Sequence, residues 1–189
     1  LGWSGILVPE EFGGSDFGIA GISVIMQELG KTLTPSPILA TSVLGVSTIN
    51  LLGSQEQKEK YLPKIVSGDV TTALAIDEGN HHSPLDIEAT ATLKGDKWSL
   101  NGQKVFIIDG ASADYILIVA RTSGKKGEPN GLSVFISKKD SEGLEISKIS
   151  TADCRNYSNL KMNNLVLDGN ALLGEVDTAG EIIEKVLDL

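Results

Sequence analysis

The sequence predicts an α+β protein: an N-terminal helical segment packed on an antiparallel, barrel-like β domain, followed by the start of a C-terminal helix. Three observations carry this. Helical periodicity and caps crowd the first 68 residues, strand patterning fills the next hundred, and the strands are separated by two-residue turns. The run Tyr115-Ile-Leu-Ile-Val-Ala120 is apolar without alternation, so it belongs to a central strand covered on both faces, as in a small barrel or closed sandwich.

Residues 1–15 hold Gly2, Gly5, Gly13, Gly14 and Pro9 and read as a structured loop, with a tight bend or close backbone approach at Gly13-Gly14. Asp16 is placed to cap a helix running to about residue 29, with Ile19, Ile22, Ile25, Met26 and Leu29 on one core-facing side and Gly30 beyond its end. Pro35 and Pro37 open a second helix over 38–52. Its Ala40, Ser42, Gly45 and Ser47 are small enough for a close helix crossing or an approaching ligand. Gly53 ends it, and Ser54-Gln-Glu-Gln57 forms a capping box for a third helix over 55–61, stopped near Pro63.

The β part begins at Thr71. Gly95-Asp96 joins a strand over 87–94 to one over 97–100, and Asn101-Gly102 joins that to a strand over 103–108, because Gly and Asn tolerate positive φ in two-residue hairpins. Residues 121–130 read as an exposed loop, and strands follow at 131–137, 144–149 and 160–167. The amphipathic run 179–189 closes the sequence. Three domains are expected: 1–68, 69–174 and 175–189. With no initiator Met and no cap on the last run, the chain reads as a piece of a longer polypeptide.

A net charge of −9 with no basic face excludes nucleic acid as the main partner. No stretch approaches the ~18 apolar residues of a membrane span, and the first residues carry neither the basic nor the apolar region of a signal peptide. A lone Cys154 excludes an internal disulfide framework and reads as a structural thiol in a reducing compartment, cytoplasmic or, in a eukaryote, the mitochondrial matrix. The one long polar loop, Asp77-Glu-Gly-Asn-His-His-Ser-Pro84, is where a site is expected. Asp77, Glu78, His81 and His82 are possible metal ligands, but adjacent histidines diverge and no second cluster completes a set, so solvated loop histidines are the plainer reading and no metal is assigned. No dinucleotide fingerprint or nucleophile elbow occurs.

Four segments in order resemble the acyl-CoA dehydrogenase family. Gly2-Trp3-Ser-Gly5-Ile-Leu-Val-Pro9-Glu10-Glu-Phe-Gly13-Gly14 is similar to its N-terminal loop, and Gly53-Ser54-Gln-Glu-Gln57-Lys58-Glu-Lys-Tyr61-Leu62-Pro63 to a helix of that family. Trp98-Ser-Leu-Asn101-Gly102-Gln-Lys104-Val-Phe-Ile107 resembles its central hairpin, and Asn170-Ala-Leu-Leu173-Gly174-Glu175 its exit to the C-terminal helices. The resemblance implies FAD between the middle and C-terminal domains, oxidation of an acyl-CoA at its α and β carbons, electron-transfer flavoprotein as acceptor, and assembly as homo- or hetero-oligomers. The family's catalytic Glu lies in the C-terminal part, so no catalytic residue is expected here and the chain alone is expected to be inactive.

By the same resemblance Ile76, Asp77, Ser83, Phe106, Ile107 and Ile108 would touch the flavin, and His82 and Ser83 the substrate. Two places depart from the family: the loop, where Asp77, Gly79, His82 and Pro84 stand for the usual Thr, Pro, Gly and Asp, and the strand end, where Phe106 and Ile108 stand for the usual Trp and Thr or Ser. Asp77 stands where Thr is usual, which would set an anion toward a ring that gains negative charge on reduction. Ile108 stands where Thr or Ser is usual, removing a hydroxyl hydrogen bond of order 1 kcal/mol. Arg155 matches a family Arg and reads as one half of a structural ion pair. A non-catalytic subunit that pairs with an active partner is the alternative reading.

Overall fold

The computed structural model describes residues 2–153 and 155–189; the expectation for Cys154 lies outside them. Two 3-10 turns, Trp3–Gly5 and Glu10–Phe12, make the entry loop. A Cβ at Gly14 would overlap the Val8 carbonyl, so the close backbone approach is real. Helix α1 spans Gly18–Thr32 rather than starting from an Asp16 cap: Asp16 sits at φ 46, the N-cap is Phe17 without a side-chain bond, and the helix runs past Gly30 to Leu33 in the left-handed region. Its apolar side is not core. Only Ile22 is buried, while Phe17 is 71% and Leu33 87% exposed.

Residues Ile38–Gly45 form a π-helix that continues into α2, Val46–Leu52. The small residues here do admit a close neighbour, but it is a strand. A Cβ on Gly45 would overlap Thr72 Oγ1, and Thr41 Oγ1 both donates to the Thr72 carbonyl (3.1 Å) and accepts from the Thr72 amide (3.0 Å). Helix α3, Gln55–Ser67, has the expected reciprocal capping box at Ser54 and Gln57. It does not stop at Pro63. Burial of Tyr61, Leu62 and Ile65 carries it through the lost amide to Gly68 at φ 82.

Among the described residues the sheet has eight strands: β1 Thr72–Ala75, β2 Thr90–Lys94, β3 Lys97–Ile107, β4 Tyr115–Arg121, β5 Leu132–Lys138, β6 Leu144–Lys148, β7 Ser158–Asp168 and β8 Leu172–Leu173. Their order is β6-β7-β3-β2-β4-β5-β8, with β1 parallel to β4 off that path. The sheet is mostly antiparallel and is not closed. It curls far enough that Trp98 of β3 meets Phe135 of β5 edge to face, ring centroids 5.1 Å apart. β4 is central and buried along its apolar run, flanked by β1 and β5.

Gly95-Asp96 makes the expected hairpin, pairing Lys94 with Lys97. Asn101-Gly102 does not turn the chain. β3 runs straight through it, and the register opposite β7 slips between Leu100 and Gly102. Gly102, at φ 136, presses on Ala89, where a Cβ would lie 2.7 Å from its Cα. The register slip is a bulge whose extra residue lies on β7, between Met162 and Leu165, where Asn164 takes φ 48. The final helix, α4 Ala179–Leu187, buries Ala179, Ile183 and Val186.

Candidate functional site

The polar loop after β1 is tied to β3 by three hydrogen bonds, two of them from a buried lysine. Lys104 lies on the same face of β3 as Trp98 and Leu100, in the period-two phase that points inward, and its side chain is 0% exposed. Its Nζ donates to the Ile76 carbonyl (2.8 Å) and to Glu78 Oε1 (2.7 Å). Glu78 in turn accepts the Glu88 amide (2.7 Å) and the Ala89 amide (3.0 Å) just ahead of β2. Between them the Asp77 carbonyl accepts the Val105 amide (2.7 Å). Burial pushes the Lys104 ammonium down to about 8, against the pull of Glu78 and Asp77 that keeps it charged.

One residue beyond Val105, Phe106 takes φ 52 at a second register slip, between Lys104 and Ile107. The slip turns its ring out of the sheet. Phe106 is 56% exposed, meets Tyr157 edge to face at 6.2 Å, and its amide donates to Asn159 Oδ1 (3.2 Å). Ile107 is buried core and Ile108 is half-buried. Past them Asp109 is pushed up by burial, opposed by the Arg155 guanidinium 3.9 Å away. Thus Arg155 does form the expected ion pair, though a long one.

The Asp77 carboxylate turns back on its own loop. Oδ1 accepts the Ser83 amide (3.1 Å) and Oδ2 lies 2.9 Å from His82 Nδ1, which must carry the hydrogen since a carboxylate only accepts. The structure therefore brings Ile76, Asp77, His82, Ser83 and Phe106 into one neighbourhood through Lys104 and Val105. Ile76 and Ile107 contribute core side chains, so only their backbone can serve a ligand. Glu78 faces inward, and among the described residues no group of three His, Cys, Asp or Glu side chains converges as a metal site. Sequence reasoning did not assign Lys104 a role; its phase with Trp98 and Leu100 was the available signal.

Two clefts flank this region. One, of about 210 Å³, lies outside the loop between Glu78, Asn80, His81, Asp86, Glu88 and Lys126. The other, of about 400 Å³, is lined by Met26, Leu29, Leu33, Ile38 and Leu39 with Arg155 at one side.

The residues fit a flavin as a packing surface. The open Phe106 ring beside Tyr157 is an aromatic shelf suited to a planar ring system. Asp77 is held by an amide and an imidazole rather than left as a free anion. The missing element is the hydroxyl, since Ile108 supplies none.

Residues 1–69 match the acyl-CoA dehydrogenase N-terminal domain and residues 73–169 the acyl-CoA dehydrogenase middle domain. Cyclohex-1-ene-1-carbonyl-CoA dehydrogenase of Syntrophus aciditrophicus is 34% identical over 182 residues, 93% of this chain and 44% of that protein. Among solved structures, the Tcur3481-Tcur3483 steroid ACAD superposes with TM-score 0.88 at 28% identity, covering 99% of this chain and 49% of that one. A chain in the structure of the electron transferring flavoprotein of Acidaminococcus fermentans superposes with TM-score 0.87 at 31% identity, covering 99% and 50%. The chain belongs to the acyl-CoA dehydrogenase family. It spans about half the length of the relatives it matches.

Proposed function

We propose that the full-length protein is an FAD-dependent acyl-CoA dehydrogenase, oxidising an acyl-CoA thioester at its α and β carbons. The observation that carries this is the Phe106 shelf, held beside the Asp77 loop in a chain whose two domains match the family in order. Bound FAD would accept the substrate hydride. This chain's part is to form one wall of the cleft. Phe106 would pack on the ring, backbone groups at Ile76, Asp77, Ile107 and Ile108 would meet its polar edge, and His82 and Ser83 would face the substrate. The domain division at 1–68, 69–174 and 175–189 belongs to the same reading, with the catalytic Glu on the C-terminal helices. The chain by itself folds but does not turn over.

Electron-transfer flavoprotein or a similar acceptor is the proposed partner, in keeping with the Acidaminococcus neighbour, and the assembly is a homo- or hetero-oligomer. Among the described residues no helix is long and apolar enough to cross a membrane; the proposed compartment is the cytoplasm, or the mitochondrial matrix in a eukaryote. The reading is tested by the visible spectrum of the full-length protein before and after a panel of acyl-CoA esters. Flavin bands that bleach support it.

A second reading is favoured by the changes at Asp77 and Ile108, which both fall where the flavin would sit: a non-catalytic subunit paired with an active one. Well-folded protein without flavin bands that co-purifies with a related subunit would establish that alternative.

A further inference from the structure

We propose that Lys104 and Glu78 are positioning residues: a buried clamp that fixes the Asp77 loop against the Phe106 shelf and so sets how tightly the full-length protein holds its flavin. The inference rests on the flavin-dependent reading above and adds to it a pair of residues that touch no ligand.

The geometry isolates the pair. From one ammonium group, bonds run to the carbonyl on one side of Asp77 and to the side chain on the other, so the two flanks of that residue are fixed by a single atom of β3. Glu78 passes the constraint on to the amides of Glu88 and Ala89, at the far end of the loop. The next β3 residue, Val105, grips the Asp77 carbonyl, and the one after it is Phe106. The loop and the shelf therefore cannot shift independently while the clamp is closed.

The charged groups that act on Lys104 both come from this loop, Glu78 in contact and Asp77 beside it. Asp77 is itself paired with His82, and Glu88 turns its own carboxylate to Lys126 (2.8 Å). Breaking a buried pair by removing one partner leaves the other charge uncompensated, whereas removing both charges together can be nearly neutral. That asymmetry supplies the test.

Lys104 charge also gives the clamp a pH signature. Below about 8 the ammonium neutralises Glu78; above it the pair carries a net negative charge. Flavin affinity of the wild type should fall as pH rises past that point. Global stability moves the other way. The unfolded lysine keeps its proton to about 10.5, so between these values the unfolded chain binds more protons and the contribution of this group to stability rises with pH.

The experiment compares Lys104→Met with Lys104→Met/Glu78→Gln. In the 189-residue chain, hydrogen exchange should lose protection in residues 76–89 and 104–107 for the single variant while β4 and β5 stay protected, and the double variant, which relieves the stranded Glu78 charge but still lacks both Nζ bonds, should regain only part of it. In the full-length protein, FAD should dissociate about tenfold or more readily from the single variant, with partial recovery in the double variant and no loss of affinity above pH 8. Wild-type protection of the loop in Lys104→Met, or an equal loss throughout the sheet, overturns the clamp. Full-length wild type without flavin would refute the functional reading alone, since the exchange experiment needs no flavin.

Discussion

Replacement of Arg121 should be among the most damaging single changes to this chain. Arg121 closes β4, is buried, and spends all five donors on backbone carbonyls: Nε on Ile87 (3.0 Å), Nη1 on Ser123 (3.2 Å) and Asn130 (2.9 Å), Nη2 on Leu85 (3.3 Å) and Glu128 (3.0 Å). The fork thereby joins the far end of the Asp77 loop to the 121–131 loop. In Arg121→Lys a single ammonium has three donors at one point and gives up at least two of these bonds. Bonds from a charged donor are worth about 1.5–3 kcal/mol each. The Ser123, Glu128 and Asn130 carbonyls sit in an exposed loop and can be rehydrated, which puts the expected cost at the lower end, about 3 kcal/mol. Arg121→Met strands the Leu85 and Ile87 carbonyls as well and should cost about 3–5 kcal/mol. Against a whole-domain stability of about 5–15 kcal/mol, either loss is plain in urea unfolding of the 189-residue chain. An Arg121→Lys midpoint within about 1 kcal/mol of wild type would refute the assignment of this side chain as the anchor of both loops.

Two further changes test the packing and the buried charge. Gly45→Ala puts a methyl into Thr72 Oγ1 between the π-helix and β1, and should cost about 1–3 kcal/mol, lowering Tm by about 2–4 °C per kcal/mol; an unchanged thermal scan would show that the π-helix yields. Asp109→Asn removes a carboxylate that burial pushes up against the weak help of a guanidinium 3.9 Å away. Since the folded state holds that proton more tightly than the unfolded one, the charged form opposes folding at neutral pH. The amide should therefore stabilise the chain at pH 7, and the advantage should vanish as pH falls through the raised value and below the ordinary 3.8. Urea midpoints at neutral and acid pH that show no such convergence would sink this account.

Local chemistry made much of the fold readable in advance. A capping box at Ser54 and Gln57, a Gly-Asp hairpin at Gly95-Asp96 and an unbroken apolar run from Tyr115 to Ala120 each act within a few residues, and each stands where the sequence put it. The same local signals were ambiguous where one conformation serves two purposes. Asn101-Gly102 carries a turn signature, yet the pairing of β3 with β7 across more than sixty residues keeps the chain extended there, and the bulge falls on β7, where Asn164 at φ 48 donates its amide to Asn101 Oδ1. Pro63 ends a helix in isolation, yet the burial of Leu62 and Ile65 outweighs the missing amide.

The candidate site divides in the same way. The polar loop stands out in the sequence between two strand patterns, and Phe106 is set beside it only by the family resemblance and by the fold. The partners of its charges do not. A lysine in a strand and a glutamate twenty-six positions earlier become a pair only when the loop leaving β1 is laid against β3, and Asp77 finds Ser83 and His82 only when the loop folds back on itself. Sequence by itself determined which segments could be helix, strand or turn, because those preferences are set by each residue's own backbone and near neighbours. The tertiary structure alone decided which buried charges are compensated and which aromatic is left open, because desolvation and ion pairing depend on what the rest of the chain places within a few ångströms.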